Sequence, residues 1–408
     1  MLPIKTLIAY PAAAFRPLAR LAAVLMVAAA VASCEDEEPA TPPRPTPETT
    51  VKTVLMYFPW ASDLTSFFYK NIADMGQAVA SSAGDSVRVL VYMCTSATEA
   101  ELYELVPQGS TCIHEPIKEY QDPAYTTAAG IASMLADVRA AAPAPRYAMT
   151  VGCHGMGWVP VARSRSRGLA QGFRYHWEAA GGPLTRFFGG TTPETQTDIA
   201  TLAEGIEAAG MHMEFILFDD CYMSSVEAAY DLRHVADYII GCPTEIMGYG
   251  MPYADIAPRL LGTPDYAEVC SEFLDFYTSY TWPYGTIGVT CTAELDSLAR
   301  VVGKIEAAYD FDPALRPALQ RMDGYSPPIF YDLGDYMAAL CPDPALLSEF
   351  EAQLQKAVPH KANTPQYYSA ITGVEPIRAY SGITTSAPTV SQYAEAWTLT
   401  EWYADTHQ

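Results

Sequence analysis

Two apolar runs of strand length constrain the fold of this chain more than any other feature, because each ends on a chemically reactive side chain. Residues Tyr147 to Gly152 lead straight into Cys153 and His154, and the run from Met213 to Phe218 leads into Asp219, Asp220 and Cys221. Each run stops abruptly at polar residues and then passes into glycines or a helix-forming stretch, as a strand buried on both faces of a parallel sheet does. Reactive groups of open α/β sheets gather at the carboxyl ends of such strands. Two neighbouring strands of this kind bring His154 and Cys221 to the same rim.

Further strand-like runs lie at 52–58, 87–94, 238–242 and 286–292. Helix-like stretches lie near 64–80, 124–141, 198–210, 223–236, 266–280 and 298–309. This alternation implies right-handed βαβ crossovers, hence an α/β fold with a mostly parallel sheet flanked by helices. Asp198 is a natural N-cap for the helix starting at Ile199, and Gly210 a natural stop. Residues 52–260 read as the core, and 261–408 as further elements of the same unit ending in a C-terminal subdomain.

A lone Cys at a strand end is usually packing, and a lone His is no more specific. Context changes the reading. His154 is followed by Gly155 and Gly157, which let a substrate backbone approach closely, and Cys221 is preceded by two carboxylates that a buried strand disfavours. A thiol beside an imidazole is a nucleophile beside its base. Such a pair can cleave an amide, with the imidazole later protonating the leaving nitrogen. The backbone N–H groups of Gly155 and Cys221 are the natural oxyanion donors. Residues two apart in extended chain face the same side, so Asp219 would line the cleft with Cys221. The competing reading makes Asp219 a buried carboxylate capping the following helix, a role for which Asp220, facing the other way, is the better candidate.

The segments His154-Gly-x-Gly-Trp158 and Asp219-x-Cys221-x-Met223-x-x-x-Glu227 resemble the clostripain family of cysteine peptidases. The resemblance covers residues 52 to 260 well and the C-terminal third loosely. It implies the caspase-like fold shared with gingipains, legumains and caspases, a Cys221–His154 dyad with no required carboxylate, and Asp219 in the P1 pocket. It also implies cleavage in the segment joining the His and Cys strands. Here that segment, 159–190, offers Arg163, Arg165 and Arg167. After the next strand the family usually carries an acid that helps to bind a basic P1 side chain. The stretch Pro243 to Tyr253 holds no Asp, has Tyr249 within it, and is followed by Asp255.

The N-terminus reads as an export signal. Lys5, Arg16 and Arg20 precede an apolar stretch too short to span a bilayer, and Val31-Ala-Ser-Cys34 resembles a bacterial lipobox in which Cys34 is lipidated. Glu35 to Glu38 resemble the surface-export signal of Bacteroidota lipoproteins; a plain acidic tether is the alternative. Residues 39–50 are Pro- and Thr-rich and form a spacer. These features place the protein in the outer membrane or on the surface of a Gram-negative cell, tethered through its lipid. The formal net charge of −23 excludes nucleic acid as a natural partner and favours cationic peptides.

Among the nine cysteines, Cys94 and Cys242 end apolar runs and read as buried small hydrophobes, leaving room for one or two disulfides at most. No Cys-x-x-Cys or His-rich cluster suggests zinc, and no cofactor is called for. The expected enzyme is therefore a monomeric, lipid-anchored extracytoplasmic cysteine endopeptidase acting on polypeptides. Two alternatives use the same residues differently: a non-catalytic surface lipoprotein that binds peptide or glycan, and a thiol-dependent amidase.

Overall fold

The computed structural model describes residues 49–60, 64–81, 86–161 and 193–407. Strand β1 (Lys52–Phe58) is buried along its whole length. It is followed by helix α1 (Thr65–Ser81), β2 (Val87–Cys94), a hairpin of β3 (Glu99–Gln108) and β4 (Thr111–Gln121), and α2 (Ala128–Ala141). Then come β5 (Tyr147–Val151), α3 (Ile199–Ala208), β6 (Met213–Phe218), α4 (Val226–Asp231) and β7 (Tyr238–Gly241). The C-terminal part adds α5 (Tyr266–Ser279), β8 (Thr286–Cys291), α6 (Leu295–Ala308), β9 (Tyr331–Asp332), α7 (Leu333–Leu340) and α8 (Pro344–Ala357). Beyond these lie β10 (His360–Asn363), β11 (Gln366–Ser369), β12 (Gly373–Pro376), β13 (Thr384–Thr385) and α9 (Glu401–Thr406).

One nine-stranded sheet runs β10-β8-β7-β6-β5-β1-β2-β3-β4. Its centre, β7 through β2, is parallel, and both edges are antiparallel. The α/β class is as the alternation of runs indicates. Strands β8 and β10, from beyond residue 260, extend the same sheet.

The β3–β4 hairpin is an addition to the sequence reading. It escapes a search for apolar runs because β4 is an edge strand carrying Glu115, Pro116, Lys118 and Glu119 on a largely exposed surface. Charges and proline on an edge protect it from pairing with other chains. The hairpin is fastened by Arg88, whose guanidinium donates to both carboxylate oxygens of buried Glu104 at 2.8 and 2.6 Å.

The helix expected over 223–236 is a single short one. The chain turns at Cys221 and Tyr222, runs on without helix to Ser225, and α4 begins only after Ser225, whose hydroxyl accepts from the Ala228 N–H at 3.3 Å. The disulfides allowed for by the cysteine count do not form among the described residues, where all eight cysteines are free. Cys94 and Cys242 are fully buried, as read.

Candidate active site

Parallel pairing fixes where the two candidate residues meet. Val151 of β5 sits opposite Phe218 of β6, and the chain stays zipped one step further, with Asp219 N–H donating to Val151 C=O at 2.8 Å. His154 and Cys221 thus each lie three residues beyond a paired position on adjoining strands. Gly155 closes the gap between the two loops. A Cβ built on it would stand 2.3 Å from the Cys221 carbonyl oxygen and 2.8 Å from Asp220 Cβ. Gly157 takes a φ of +58°, and a Cβ there would meet the Tyr222 carbonyl at 2.9 Å. Both glycines are therefore required by the approach of the chain's own backbone, a correction to their reading as clearance for substrate.

A second correction concerns exposure. His154 is 1% and Cys221 0% exposed, so both stand at strand ends but are covered rather than open on a rim. The Cys221 Sγ accepts from the Ile246 N–H at 3.3 Å.

The two carboxylates before Cys221 are buried and point to different tasks. Asp220 accepts from the Cys153 N–H at 2.6 Å, which bolts the His154 loop to the Cys221 loop. It is not the helix cap expected of it, because α4 starts six residues after it and is capped by Ser225. Asp219 does not cap α4 either. Its Oδ1 accepts from the Met251 N–H at 2.7 Å and anchors the turn at 249–251.

That turn lacks an Asp in its own sequence, yet a carboxylate reaches it from α1. Tyr249 Oη donates to Asp74 Oδ2 at 3.0 Å, while Lys70 forms an ion pair with the other oxygen of Asp74. Asn71 Nδ2 donates to the Tyr249 and Met251 carbonyls at 3.1 and 3.3 Å. Asp74 went unnoticed in the sequence because it looks like an ordinary helix carboxylate 175 residues from Tyr249. Asp255 is exposed beside a cavity of about 290 Å³ that it shares with Glu272, Asp275, Phe276, Ser279 and Tyr280. Partial burial, and then Glu272 and Asp74, raise its pKa.

The C-terminal segment braces both loops, which accounts for two motif residues. Trp158 Nε1 donates to Ser386 Oγ at 2.7 Å. Glu227 Oε1 accepts from the Ser386 N–H at 2.7 Å, from Trp397 Nε1 at 2.9 Å and from Thr385 Oγ1 at 3.1 Å. Tyr325 Oη reaches Met156 Sδ at 3.1 Å, and Phe330 stacks on Tyr222 with centroids 5.0 Å apart. Asp198, the N-cap residue of α3, uses its carboxylate on the Val161 N–H at 2.7 Å instead of on its own helix. Cys34, Arg163, Arg165 and Arg167 lie outside the described residues. Among the described residues no group of His, Cys, Asp and Glu is arranged to hold a metal ion.

A thiol and an imidazole on adjoining strand ends of a parallel sheet make the arrangement of an α/β cysteine peptidase. Comparison with known proteins supplies the family. The profile of the clostripain family matches residues 57–308, and the chain belongs to that family of cysteine peptidases. A secreted C11 cysteine protease of Bacteroides thetaiotaomicron, "iotapain", is 49% identical over 88% of this chain and 99% of its own, with a TM-score of 0.81. A clostripain from the same species, solved with the peptide inhibitor BTN-VLTK-AOMK, is 52% identical over 54% of this chain and 99% of its own, with a TM-score of 0.54. An inactive zymogen C11 protease from Parabacteroides distasonis is 26% identical over 88% of this chain and 99% of its own, with a TM-score of 0.73. No curated protein matches the chain significantly.

Proposed function

We propose that this cysteine peptidase is a lipid-anchored extracytoplasmic endopeptidase in which Cys221 is the nucleophile and His154 its proton-transfer partner. The observation that carries this reading is the contact of Gly155 with the Cys221 carbonyl, which sets the residue after the imidazole directly on the residue bearing the thiol. In the reaction the Cys221 thiolate attacks the scissile carbonyl carbon, and His154 takes the thiol proton and returns it to the departing amine. Water then attacks the thioester and frees the thiol. The N–H groups of Gly155 and Cys221 hold the oxyanion.

A basic P1 preference is supported by the related clostripain held by a peptide inhibitor ending in lysine, and by the two carboxylates at the 249–251 turn, Asp219 and Asp74. The complete burial of Cys221 supports activation by cleavage, with Arg163, Arg165 and Arg167 as the sites. Cys34 is the lipid attachment point, the residues before it are a removed signal, and the acidic and Pro-rich stretch up to residue 51 is the tether of one folded unit that starts at Lys52.

Three measurements test the reading. Wild-type protein is expected to cut itself after one of these arginines and Cys221→Ala to remain whole. A P1 library is expected to show Arg or Lys preferred. Mass spectrometry of the mature N-terminus is expected to find lipid on Cys34. An uncut wild type that hydrolyses Arg substrates would remove the activation step, and an unmodified N-terminus elsewhere would remove the anchor.

A further inference from the structure

The residue after the candidate nucleophile has an unusual backbone. Tyr222 has a φ of +61°, the left-handed region that a bulky side chain enters only when its surroundings force it. Three consecutive residues after β7 supply that force. Thr244 C=O accepts from the Tyr222 N–H at 3.1 Å, the Glu245 carboxylate accepts from Tyr222 Oη at 2.8 Å, and the Ile246 N–H donates to Cys221 Sγ at 3.3 Å. Tyr222 and Glu245 are buried, and the Tyr222 ring is stacked on Phe330. Burial raises the Tyr222 hydroxyl well above its ordinary pKa, so it stays a donor. Glu245 is itself fixed from outside the core, since its two oxygens accept from the Ala370 N–H at 3.2 and 3.0 Å, in the turn between β11 and β12.

We propose that Glu245 is a positioning residue for the nucleophile: by holding Tyr222 in its left-handed conformation it fixes the direction of the Cys221 N–H and Sγ, and the β11–β12 hairpin holds Glu245 in place. The inference rests on Cys221 being the nucleophile. A tyrosine in this backbone conformation stores strain, and strain persists only where neighbouring contacts overdetermine it. Without the carboxylate the cheapest relaxation is rotation about the Cys221–Tyr222 peptide. That rotation turns the Cys221 carbonyl away from its close approach to Gly155, and Cys221, with its thiol and N–H, shifts as the loop re-seats.

The experiment compares kcat, KM and the rate of Cys221 alkylation by iodoacetamide in wild type, Tyr222→Phe, Glu245→Gln and the double variant, with Cys221→Ala as control. Tyr222→Phe removes one oxygen and keeps the ring packing. A hydrogen bond to a buried carboxyl group is worth enough to lower kcat about tenfold, with KM within about twofold of wild type and Cys221 alkylated more slowly. The two substitutions act on one contact, so the double variant is expected to be no slower than Glu245→Gln alone. A purely structural role would lower the urea midpoint and leave kcat of the folded protein unchanged. Folded variants with kcat within about twofold of wild type, or losses that multiply in the double variant, overturn the proposal. If Glu245→Gln does not fold, kcat of Tyr222→Phe decides alone. Turnover by Cys221→Ala would remove the nucleophile and this proposal together, whereas an inactive Cys221→Ala beside a fully active Tyr222→Phe removes the positioning role only.

Discussion

Gly155 shows how closely the two loops must approach: with 2.3 Å from its missing Cβ to the Cys221 carbonyl, no other residue fits without moving one loop off the other. Gly155→Ala is therefore expected to lower kcat at least about a hundredfold, since misplacing a reacting group by about 1 Å costs that much. Steady-state kinetics on folded protein checks it, and a rate within about tenfold of wild type would contradict the packing argument. The position of His154 and Cys221 at the ends of adjoining strands is readable from residues alone because each follows an apolar run, a signal that needs no knowledge of partners. The roles of Asp220 and Glu227 were not readable. Asp220 meets its partner, Cys153 N–H, 67 residues away, and the partners of Glu227 lie at least 158 residues away. Local spacing suggested helix capping for Asp220, and the turn at 221–222, which delays the helix to Val226, overrode it.

At the scale of elements, the short helix α4 after the nucleophile is held from the C-terminal end of the chain. Glu227 gathers three donors from residues 385–397 on one oxygen, in a site with no exposure. Glu227→Ala would leave those buried donors without this acceptor, at a cost of about 3–5 kcal/mol if each loses 1–3 kcal/mol and the site partly relaxes. Urea unfolding measures it, and a loss below about 1 kcal/mol would show that the brace is idle. Trp158→Phe removes the indole N–H to Ser386 together with part of the buried ring and is expected to cost about 2–3 kcal/mol in the same assay. The central strands β1, β2, β5, β6 and β7 were recognisable because burial on both faces demands unbroken apolar runs. The edge hairpin β3–β4 and the two-residue strands β9 and β13 were not, since edges carry polar residues and so short a strand has no period.

The whole molecule folds around several acids that burial keeps protonated. Burial is the leading cause of the raised pKa of Asp231, Glu306 and Asp323, which reach about 7, 8 and 7. In the unfolded chain these carboxyls titrate near 4. Between roughly pH 4 and pH 8 the folded chain keeps protons that the unfolded chain has lost, so this contribution to stability is full below pH 4 and is lost as pH rises through the folded values. His407, lowered by burial, acts in the opposite sense at a single site. The urea midpoint is expected to be lower at pH 8 than at pH 5, and Glu306→Gln to flatten that dependence; a midpoint that climbs from pH 5 to pH 8 would contradict the assignment. The sheet and the C-terminal braces position the two loops that carry His154 and Cys221. The most direct test is to treat wild-type protein and Cys221→Ala with a peptidyl electrophile carrying lysine or arginine at P1, and to locate the adduct by peptide mass spectrometry. One adduct on Cys221 with matching loss of peptide hydrolysis, and none on Cys221→Ala, is the expected result; an adduct on any of the other cysteines, or hydrolysis that survives in Cys221→Ala, would contradict the account.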